Sequence, residues 1–341
     1  MSLSRIVIIG GQSRLLGVKL LYAIILLTTP TGIYAQGQPA WTDPSPHKVS
    51  FVTVEADVKL EVLDWAGSGS PIVLLAGGGN TAHVFDDFAQ KLTADHHVYG
   101  ITRRGFGSSG FAKYDEMDRL GDDVVAVIDA LKLAKPVLVG HSLGGAELSA
   151  VANRHADRVS ALIYLDAGYP YAFNNGKGPE MSELQGGGPQ PAPPGAADRA
   201  SFSAFQRWYE GTNGWRFPEA ELRAGWEATP EGAVGKRRLP PAGAIPNLSK
   251  TKYTAIPVRS LMIFAVPHDQ GAWLKTRSDP KAKEAADAFT AKEVGIVERQ
   301  IKAISDAVPT ARIVRLPNAH HYVYLSNEAD VLREMREFLK N

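Results

Sequence analysis

The sequence contains no cysteine, which excludes disulfides, thiolate nucleophiles and metal sites with cysteine ligands. An excess of charge of one sign is also lacking, because 37 lysine and arginine residues face 36 aspartate and glutamate residues. With no basic runs that alternate with aromatic residues, nothing favours nucleic acid as a partner. The nine histidines lack the short spacings typical of metal ligands. We therefore predict no metal, no cofactor and no nucleic acid, and nothing indicates an obligate protein partner.

A hydrophobic run long enough to cross a membrane is missing from the N-terminal region as well. Residues 1–19 carry three basic side chains and no acidic one, and the apolar run Leu20–Leu27 follows. That run is much shorter than the ~20 residues that a membrane span needs. A basic start, a short apolar core and a small residue at Ala35 are typical of a secretory signal. We predict a signal peptide over residues 1–35 and export to the periplasm or the medium; the alternative is an uncleaved, membrane-tethered chain.

The hydrophobic pattern after residue 48 changes from alternating to continuous. Val49–Glu55 and Val58–Leu63 alternate apolar and polar residues, which predicts an antiparallel hairpin. Beyond them, short continuous apolar runs alternate with segments of helical spacing. The predicted buried strands are Ile72–Leu75, His97–Ile101, Pro136–Val139, Ala161–Leu165, Pro257–Val266 and Ala311–Leu316. The predicted helices are Asp122–Leu133, Ala146–Ala156, Lys281–Asp306 and Glu328–Leu339. This order predicts an α/β fold with a mostly parallel sheet flanked by helices.

Residues 169–253 interrupt this alternation. Two stretches rich in glycine and proline flank two short predicted helices, Ala200–Glu210 and Glu219–Ala228, which carry several aromatic side chains. Aromatic side chains at helical spacing favour an ordered cap over a disordered linker, the alternative that the composition leaves open. We therefore predict a core of residues 36–168 and 254–341, with residues 169–253 inserted as a helical and irregular cap.

One motif in the core predicts a nucleophile. Gly140-His141-Ser142-Leu143-Gly144-Gly145 follows a predicted strand and precedes a predicted helix. Glycines permit a strand-to-helix turn so tight that the Ser142 hydroxyl is exposed at its tip, and the following helix N-terminus favours negative charge there. A serine nucleophile also needs a base, for which His320 and His321 after the last predicted strand are candidates. Neighbours in an extended segment point to opposite sides, so only one is expected to face Ser142.

The sharp turn at Gly140–Gly145 is the pattern known as a nucleophile elbow. This elbow and the order of the predicted elements resemble the α/β-hydrolase superfamily over nearly all of residues 48–340. The resemblance implies an α/β-hydrolase sheet and makes His321, which directly precedes Tyr322, the catalytic histidine, with His320 as the alternative. It implies Asp269, just after the strand Pro257–Val266, as the acid that orients the histidine. Asp166, at the end of Ala161–Leu165, is the rival position.

The same resemblance assigns an oxyanion hole. One backbone N–H would come from Leu143, the residue after the nucleophile, and the other from the loop Ala76–Asn80 after an earlier strand. In that loop Gly78 is the expected donor and Gly79 the alternative.

These assignments predict a serine hydrolase that cleaves carboxylic esters through an acyl-enzyme intermediate. The predicted partner is a small ester or related acyl compound, and the aromatic cap favours one with an apolar part. A serine at the elbow also leaves other activities open: lactonase, amidase or peptidase, cofactor-free perhydrolase and hydroxynitrile lyase. A non-catalytic binding protein on the same scaffold is the alternative from another class.

Overall fold

The computed structural model describes residues 41–184, 188–250, 252–277 and 279–340. Residues 43–341 form one compact unit. The predicted signal peptide, residues 1–35, lies outside the described residues, as do residues 185–187 of the glycine-rich stretch. Within the described ranges, no helix is both long and apolar enough to cross a membrane.

Strands and helices alternate along most of the chain. The strands are β1 Lys48–Glu55, β2 Val58–Asp64, β3 Ser70–Leu75, β4 His96–Ile101, β5 Val137–His141, β6 Ala161–Leu165, β7 Trp226–Ala228, β8 Val234–Arg237, β9 Ser260–Ala265 and β10 Ala311–Leu316. The α-helices are α1 Asp86–Ala89, α2 Asp118–Ala130, α3 Gly144–Arg154, α4 Phe202–Asn213, α5 Glu219–Gly225, α6 Ala272–Lys275, α7 Pro280–Ala307, α8 Val323–Ser326 and α9 Glu328–Leu339. Short 3-10 helices occupy Ala82–Phe85, Ala156–Arg158 and Met181–Leu184.

Eight of these strands form one sheet in the order β1-β2-β4-β3-β5-β6-β9-β10. β1 and β2 pair antiparallel, as do β2 and β4, and every other pairing in the sheet is parallel. The predicted fold class, a mostly parallel sheet flanked by helices, is therefore confirmed. Because parallel strands end at the same edge, the segments that follow β3, β5, β6 and β9 lie side by side.

The central strands of the sheet are buried on both faces. Along β3, Ile72 and Leu74 belong to one apolar core and Val73 and Leu75 to another. Successive side chains of a strand point to opposite faces, so a strand covered on both sides must be apolar throughout. The continuous apolar run in β3 follows from this position.

The insertion at residues 169–253 lies between β6 and β9 in the chain and contains α4, α5, β7 and β8. Helix α4 begins where the Ser201 side chain accepts a hydrogen bond from the Ala204 N–H, a typical N-terminal cap. Helix α5 ends at Gly225, earlier than its sequence predicts, because Trp226 pairs with Arg237 in the small β7–β8 sheet. The Trp226 ring lies edge-on, 5.1 Å from that of Phe205 in α4. Such contacts continue the apolar core on one face of the sheet into the insertion, because Phe205 belongs to the same buried cluster as Ile72 and Leu74.

Candidate active site

Ser142 occupies a sharp turn between β5, which ends at His141, and α3, which begins at Gly144. Its φ of 48° lies in the left-handed region, which is rare for residues other than glycine and is often retained at functional sites. A side chain at Gly140 would place a Cβ only 2.7 Å from the backbone of Gly144, so the turn excludes larger residues there. The turn brings Ser142 to the wall of the main cavity.

The loop after β3 packs directly against this turn. A Cβ at Gly77 would lie 3.1 Å from the Cβ of Ser142, and one at Gly78 would lie 3.6 Å from the Leu143 side chain. Gly78 and Leu143, the two residues predicted to supply oxyanion-hole amides, thus lie in adjoining segments. Gly79, the alternative donor, has a φ of 86°, and a Cβ there would lie 3.5 Å from the Arg237 side chain. Which glycine amide serves an oxyanion stays a prediction.

A buried arginine fixes that loop. The Arg103 guanidinium donates to the carbonyl oxygens of Ala76 at 2.6 Å and Gly77 at 3.2 Å. It also forms two bonds with the Glu147 carboxylate in α3, at 2.6 and 2.9 Å. Both ionic groups are almost fully buried. The loop after β3 is therefore attached to the helix that follows Ser142.

His321 contacts an aspartate at its Nδ1 atom. That nitrogen lies 2.6 Å from Oδ2 of Asp166, the residue directly after β6. The His321 side chain is 37% exposed, whereas the Asp166 side chain is fully buried. Of these two groups, only the imidazole can contact a ligand. With Nδ1 on the carboxylate, Nε2 is left to exchange a proton.

Asp166 is held by several further groups. Its Oδ1 accepts hydrogen bonds from the Ala265 N–H at 3.0 Å and the Tyr169 hydroxyl at 2.9 Å. Burial on its own would raise the pKa of Asp166, but the neighbouring His268 and His321 hold that pKa well below its usual range. Asp166 is therefore a fixed anion beside His321.

The predicted contact between Asp269 and His321 is wrong. The Asp269 carboxylate accepts from the Gly271 N–H at 2.9 Å and pairs with Lys275 at 2.7 Å. Backbone hydrogen bonding to the segment after β10 continues past the end of β9, where the Asp269 N–H donates to the Ala319 carbonyl. The Asp269 side chain therefore lies beyond the edge of the sheet. Asp269 still lines the cavity. The rival position, Asp166, is the one that meets His321.

Sequence reasoning gave His268 no chemical part, yet it shares the carboxylate. Its Nε2 lies 2.7 Å from Oδ2 of Asp166, the same oxygen that His321 contacts. On its other side, Nδ1 lies 3.1 Å from Oε2 of Glu293. Burial opposes a charged ring, but Asp166 and Glu293 raise the pKa of His268 to about 10. A cation between two carboxylates results, and no motif in the sequence indicates it.

His320 lies apart from the Asp166 carboxylate. Its Nδ1 accepts a hydrogen bond from the Tyr322 N–H at 3.2 Å, and its ring packs edge-on against Trp215. Burial, with His321 nearby, lowers the pKa of His320 to about 4, which keeps the ring neutral. Of the two adjacent histidines, only His321 contacts the Asp166 carboxylate.

Ser142 and His321 share the cavity wall but form no mutual hydrogen bond within the described residues. The Ser142 side chain instead interacts with the Tyr171 hydroxyl, a neighbour that the sequence did not indicate. His321 is nonetheless adjacent to the elbow, because its carbonyl lies 3.0 Å from Nε2 of His141. Without a substrate, a hydrogen bond between a catalytic nucleophile and its base is often long or misaligned.

The cavity has a volume of about 620 Å³. Its wall combines the polar residues described above with large aromatic side chains. The aromatic residues are Tyr169, Tyr171, Trp208, Tyr209, Trp273 and Phe289. Trp208 and Tyr209 come from the insertion, so the insertion covers part of the site, and the volume suits a small organic ligand.

The insertion also holds the loop that follows the predicted oxyanion glycines. Glu221 of α5 accepts hydrogen bonds from Asn80 Nδ2 at 2.8 Å and from the Thr81 hydroxyl at 2.6 Å. Its carboxyl group is buried, and burial raises the pKa of Glu221 to about 7 despite those donors. Sequence patterns could not indicate this contact, which joins segments 141 residues apart.

Among the residues that the structure describes, two groups of side chains bring together enough donor atoms to hold a metal ion. Asp166, His268 and His321 bring donor atoms within 4.8 Å of one another, but their contacts of 2.6 and 2.7 Å are hydrogen-bond lengths. Asp43, His47, His83 and Asp86 form the second group, outside the cavity wall.

The sequence is similar to known proteins over most of this fold. A model of the Alpha/beta hydrolase family matches residues 72–334. The AB hydrolase superfamily protein YisY of Bacillus subtilis is 34% identical over 148 residues, which are 39% of this chain and 54% of that protein. The matched regions span between 32% and 54% of the first three curated relatives.

Solved structures share the fold at lower identity. E-2-(acetamidomethylene)succinate hydrolase superposes with a TM-score of 0.57 at 18% identity, covering 86% of this chain and 100% of that one. Carboxylesterase CesB from Bacillus subtilis superposes with a TM-score of 0.55 at 15% identity, covering 87% and 93%. At these identities the likeness concerns the fold alone.

Proposed function

This chain belongs to the alpha/beta hydrolase family, and from that premise we propose that it is a serine hydrolase that cleaves carboxylic esters. One observation carries the proposal: Nδ1 of His321 lies 2.6 Å from Oδ2 of buried Asp166, in a cavity that Ser142 also lines. A carboxylate in that position selects the imidazole tautomer whose Nε2 can accept a proton, and it stabilises the imidazolium that forms.

The proposed reaction has two halves. Ser142 Oγ attacks the ester carbonyl carbon while Nε2 of His321 takes the hydroxyl proton, and that proton then passes to the departing alcohol. Water adds to the acyl-enzyme with His321 as base, which releases the acid and restores Ser142. The Gly78 and Leu143 amides stabilise the oxyanion in both halves. Asp166, which replaces the predicted Asp269, orients His321 throughout.

The cavity supports an ester with an apolar or aromatic part. Trp208, Trp273 and Phe289 line it, and no lysine or arginine is among the described residues of its wall. Aromatic walls with a few polar groups suit neutral organic ligands better than highly charged ones. CesB is called a carboxylesterase, but at 15% identity that name does not transfer, so the ester proposal rests on the cavity and on the contact between Asp166 and His321.

Labelling with a serine-directed fluorophosphonate tests the nucleophile. Wild type should be labelled, Ser142→Ala should not, and His321→Ala should react far more slowly. Labelling that survives Ser142→Ala would refute the mechanism, and an unlabelled wild type would favour a non-catalytic binding protein.

Chromogenic esters, lactones and aminopeptidase substrates, assayed in parallel, test the reaction class. Turnover of esters above the others is expected. Fluorophosphonate labelling without turnover of any ester would keep the nucleophile and reject the ester.

Export is a separate proposal that rests on the basic and apolar pattern of residues 1–35. The intact mass of the protein recovered from a host that secretes it should correspond to a chain that begins near Gln36. A full-length mass in the membrane fraction would instead support a tethered form.

A further inference from the structure

Four side chains with metal-binding donor atoms meet away from the active-site cavity. Asp43 and His47 precede β1, His83 lies in the 3-10 helix Ala82–Phe85, and Asp86 begins α1. One donor atom from each lies within 4.8 Å of the others. His47 and Asp86 are 39 residues apart in the chain, which is why histidine spacing in the sequence predicted no metal.

Three of the six separations between these donor atoms match those around a single ion of tetrahedral geometry. Asp43 Oδ2 lies 3.3 Å from Nδ1 of His83 and 3.6 Å from Nε2 of His47. Nδ1 of His83 lies 3.3 Å from Oδ2 of Asp86. Zinc bonds nitrogen and oxygen at about 2.0–2.2 Å, so tetrahedral ligands lie roughly 3.4 Å apart.

Hydrogen-bonding neighbours hold these four side chains in place, as the residues around the ligands of metal sites do. Nδ1 of His47 is 2.8 Å from the other oxygen of Asp86, and the Trp65 indole N–H donates to that oxygen at 3.1 Å. Nε2 of His83 faces a carboxylate oxygen of Glu61 at 3.8 Å. Metal-bound histidines commonly donate their second N–H to a carboxylate, which fixes the ring. The side chains of His47 and Asp86 are only 2% and 1% exposed.

We propose that Asp43 Oδ2, His47 Nε2, His83 Nδ1 and Asp86 Oδ2 bind one divalent transition-metal ion, with zinc as the best match. Two imidazoles and two carboxylates suit zinc or its neighbours, whereas calcium and magnesium prefer sites made of oxygen alone. Four protein ligands leave no open position, and none of them lines the described cavity wall, so the ion has a structural part.

A bound ion would join two distant segments. Asp43 and His47 lie in the strand-free segment before β1, and His83 and Asp86 follow the loop that carries the predicted oxyanion glycines. Binding to the folded state alone stabilises it by mass action. The ion would thus hold the segment before β1 against the start of α1.

Zinc and cobalt titrations of the full chain test the site after treatment with a chelator. We expect one equivalent of Zn²⁺ to bind with a rise in Tm, and Co²⁺ to give the visible absorption of a four-coordinate site. Asp43→Asn and His83→Gln should each weaken Zn²⁺ binding by more than about 100-fold, beyond the roughly 10- to 100-fold effect that loss of an outer contact alone has. Asp43 is partly exposed, so its variant is expected to fold even if His83→Gln does not.

His97→Gln is the matched control, because His97 pairs with Asp64 at 2.8 Å and belongs to no group of metal-binding side chains within the described residues. It should bind Zn²⁺ like the wild type. The proposal is overturned if wild type binds no Zn²⁺, if Asp43→Asn and His83→Gln both bind it normally, or if His268→Gln alone abolishes binding, which would assign the ion to Asp166 and His321.

Discussion

Asp166 and His321 are 155 residues apart in the chain, and their side chains lie 2.6 Å apart. The carboxylate that we propose orients His321 therefore lies directly after β6. If the proposed mechanism holds, Asp166→Asn should lower kcat about 10³- to 10⁴-fold, because the amide no longer stabilises the required tautomer and the imidazolium. Steady-state kinetics with a chromogenic ester measure this.

Asp269→Asn is the matched comparison, since its carboxylate bonds Gly271 and Lys275 instead of His321. We expect kcat to stay within about threefold of the wild type, with normal far-ultraviolet circular dichroism for both variants. A larger loss of kcat for Asp269→Asn than for Asp166→Asn would indicate that Asp269, and not Asp166, orients His321.

Substitutions of the adjacent residues His320 and His321 should differ just as clearly in their effect on kcat. His321→Gln removes the proposed base, so kcat should fall by about 10³-fold or more with little change in KM. His320→Gln should keep kcat within about 10-fold, because His320 contacts Trp215 and the Tyr322 amide instead of the acid. Equal losses in both variants would contradict the assignment of His321 alone.

Glu221 makes stability depend on pH. Burial raises its pKa from 4.5 to about 7 in the folded protein, so the folded state holds the proton more tightly than the unfolded chain does. The free energy of unfolding must then fall as pH rises from about 4.5 to about 7. The Glu221→Gln variant has no ionisable group at this position. Its free energy of unfolding should therefore rise relative to that of the wild type by on the order of 3 kcal/mol across this pH range.

Urea unfolding of both proteins at pH 5 and pH 8 measures that difference. A difference in unfolding free energy between the two proteins that stays constant with pH would contradict the protonated state of buried Glu221. A difference that favours the wild type more at pH 8 would contradict it as well.

The Arg103–Glu147 pair should matter far more than surface ion pairs do. Glu147→Leu leaves the buried Arg103 guanidinium without its carboxylate, which should cost about 3–5 kcal/mol of unfolding free energy. Asp129→Leu removes the partner of Arg158 at the surface, where the Arg158 and Asp129 side chains are 33% and 57% exposed, and should cost about 1 kcal/mol or less. Urea unfolding of the two variants compares them directly.

Aromatic side chains in the cavity should set substrate preference. Trp273→Ala removes apolar wall, so KM for aromatic or long-chain esters should rise about 10- to 100-fold while acetyl esters change little. Leu239→Ala, at a position 78% exposed and away from this cavity, is the control. A uniform change across all esters would locate the substrate elsewhere.

The fold could be predicted because its signals are local. Continuous apolar runs such as Ile72–Leu75 mark strands that are covered on both faces, and the glycines around Ser142 mark the sharp turn. Each of these patterns depends on neighbours a few residues away, so a single sequence contains the necessary information.

The acid could not be predicted in the same way, because two aspartates follow strands in equivalent fashion. Both Asp166 and Asp269 come after an apolar run, and the sequence does not reveal that pairing continues beyond β9 and carries Asp269 past the edge. That continuation brings His268 to the Asp166 carboxylate. Side-chain direction at strand ends depends on this register, which only tertiary structure defines.

The hydrogen bonds that Glu221 accepts from Asn80 and Thr81 limit how freely the insertion can be exchanged in protein engineering. A chimera that replaces residues 169–253 with another cap would leave those two buried polar groups without their acceptor. Grafts that keep a carboxylate at this point should fold and retain the loop, whereas grafts without one should need compensating changes at residues 80 and 81. Selectivity could therefore be redesigned more safely through single cavity residues than by transplanting the whole segment.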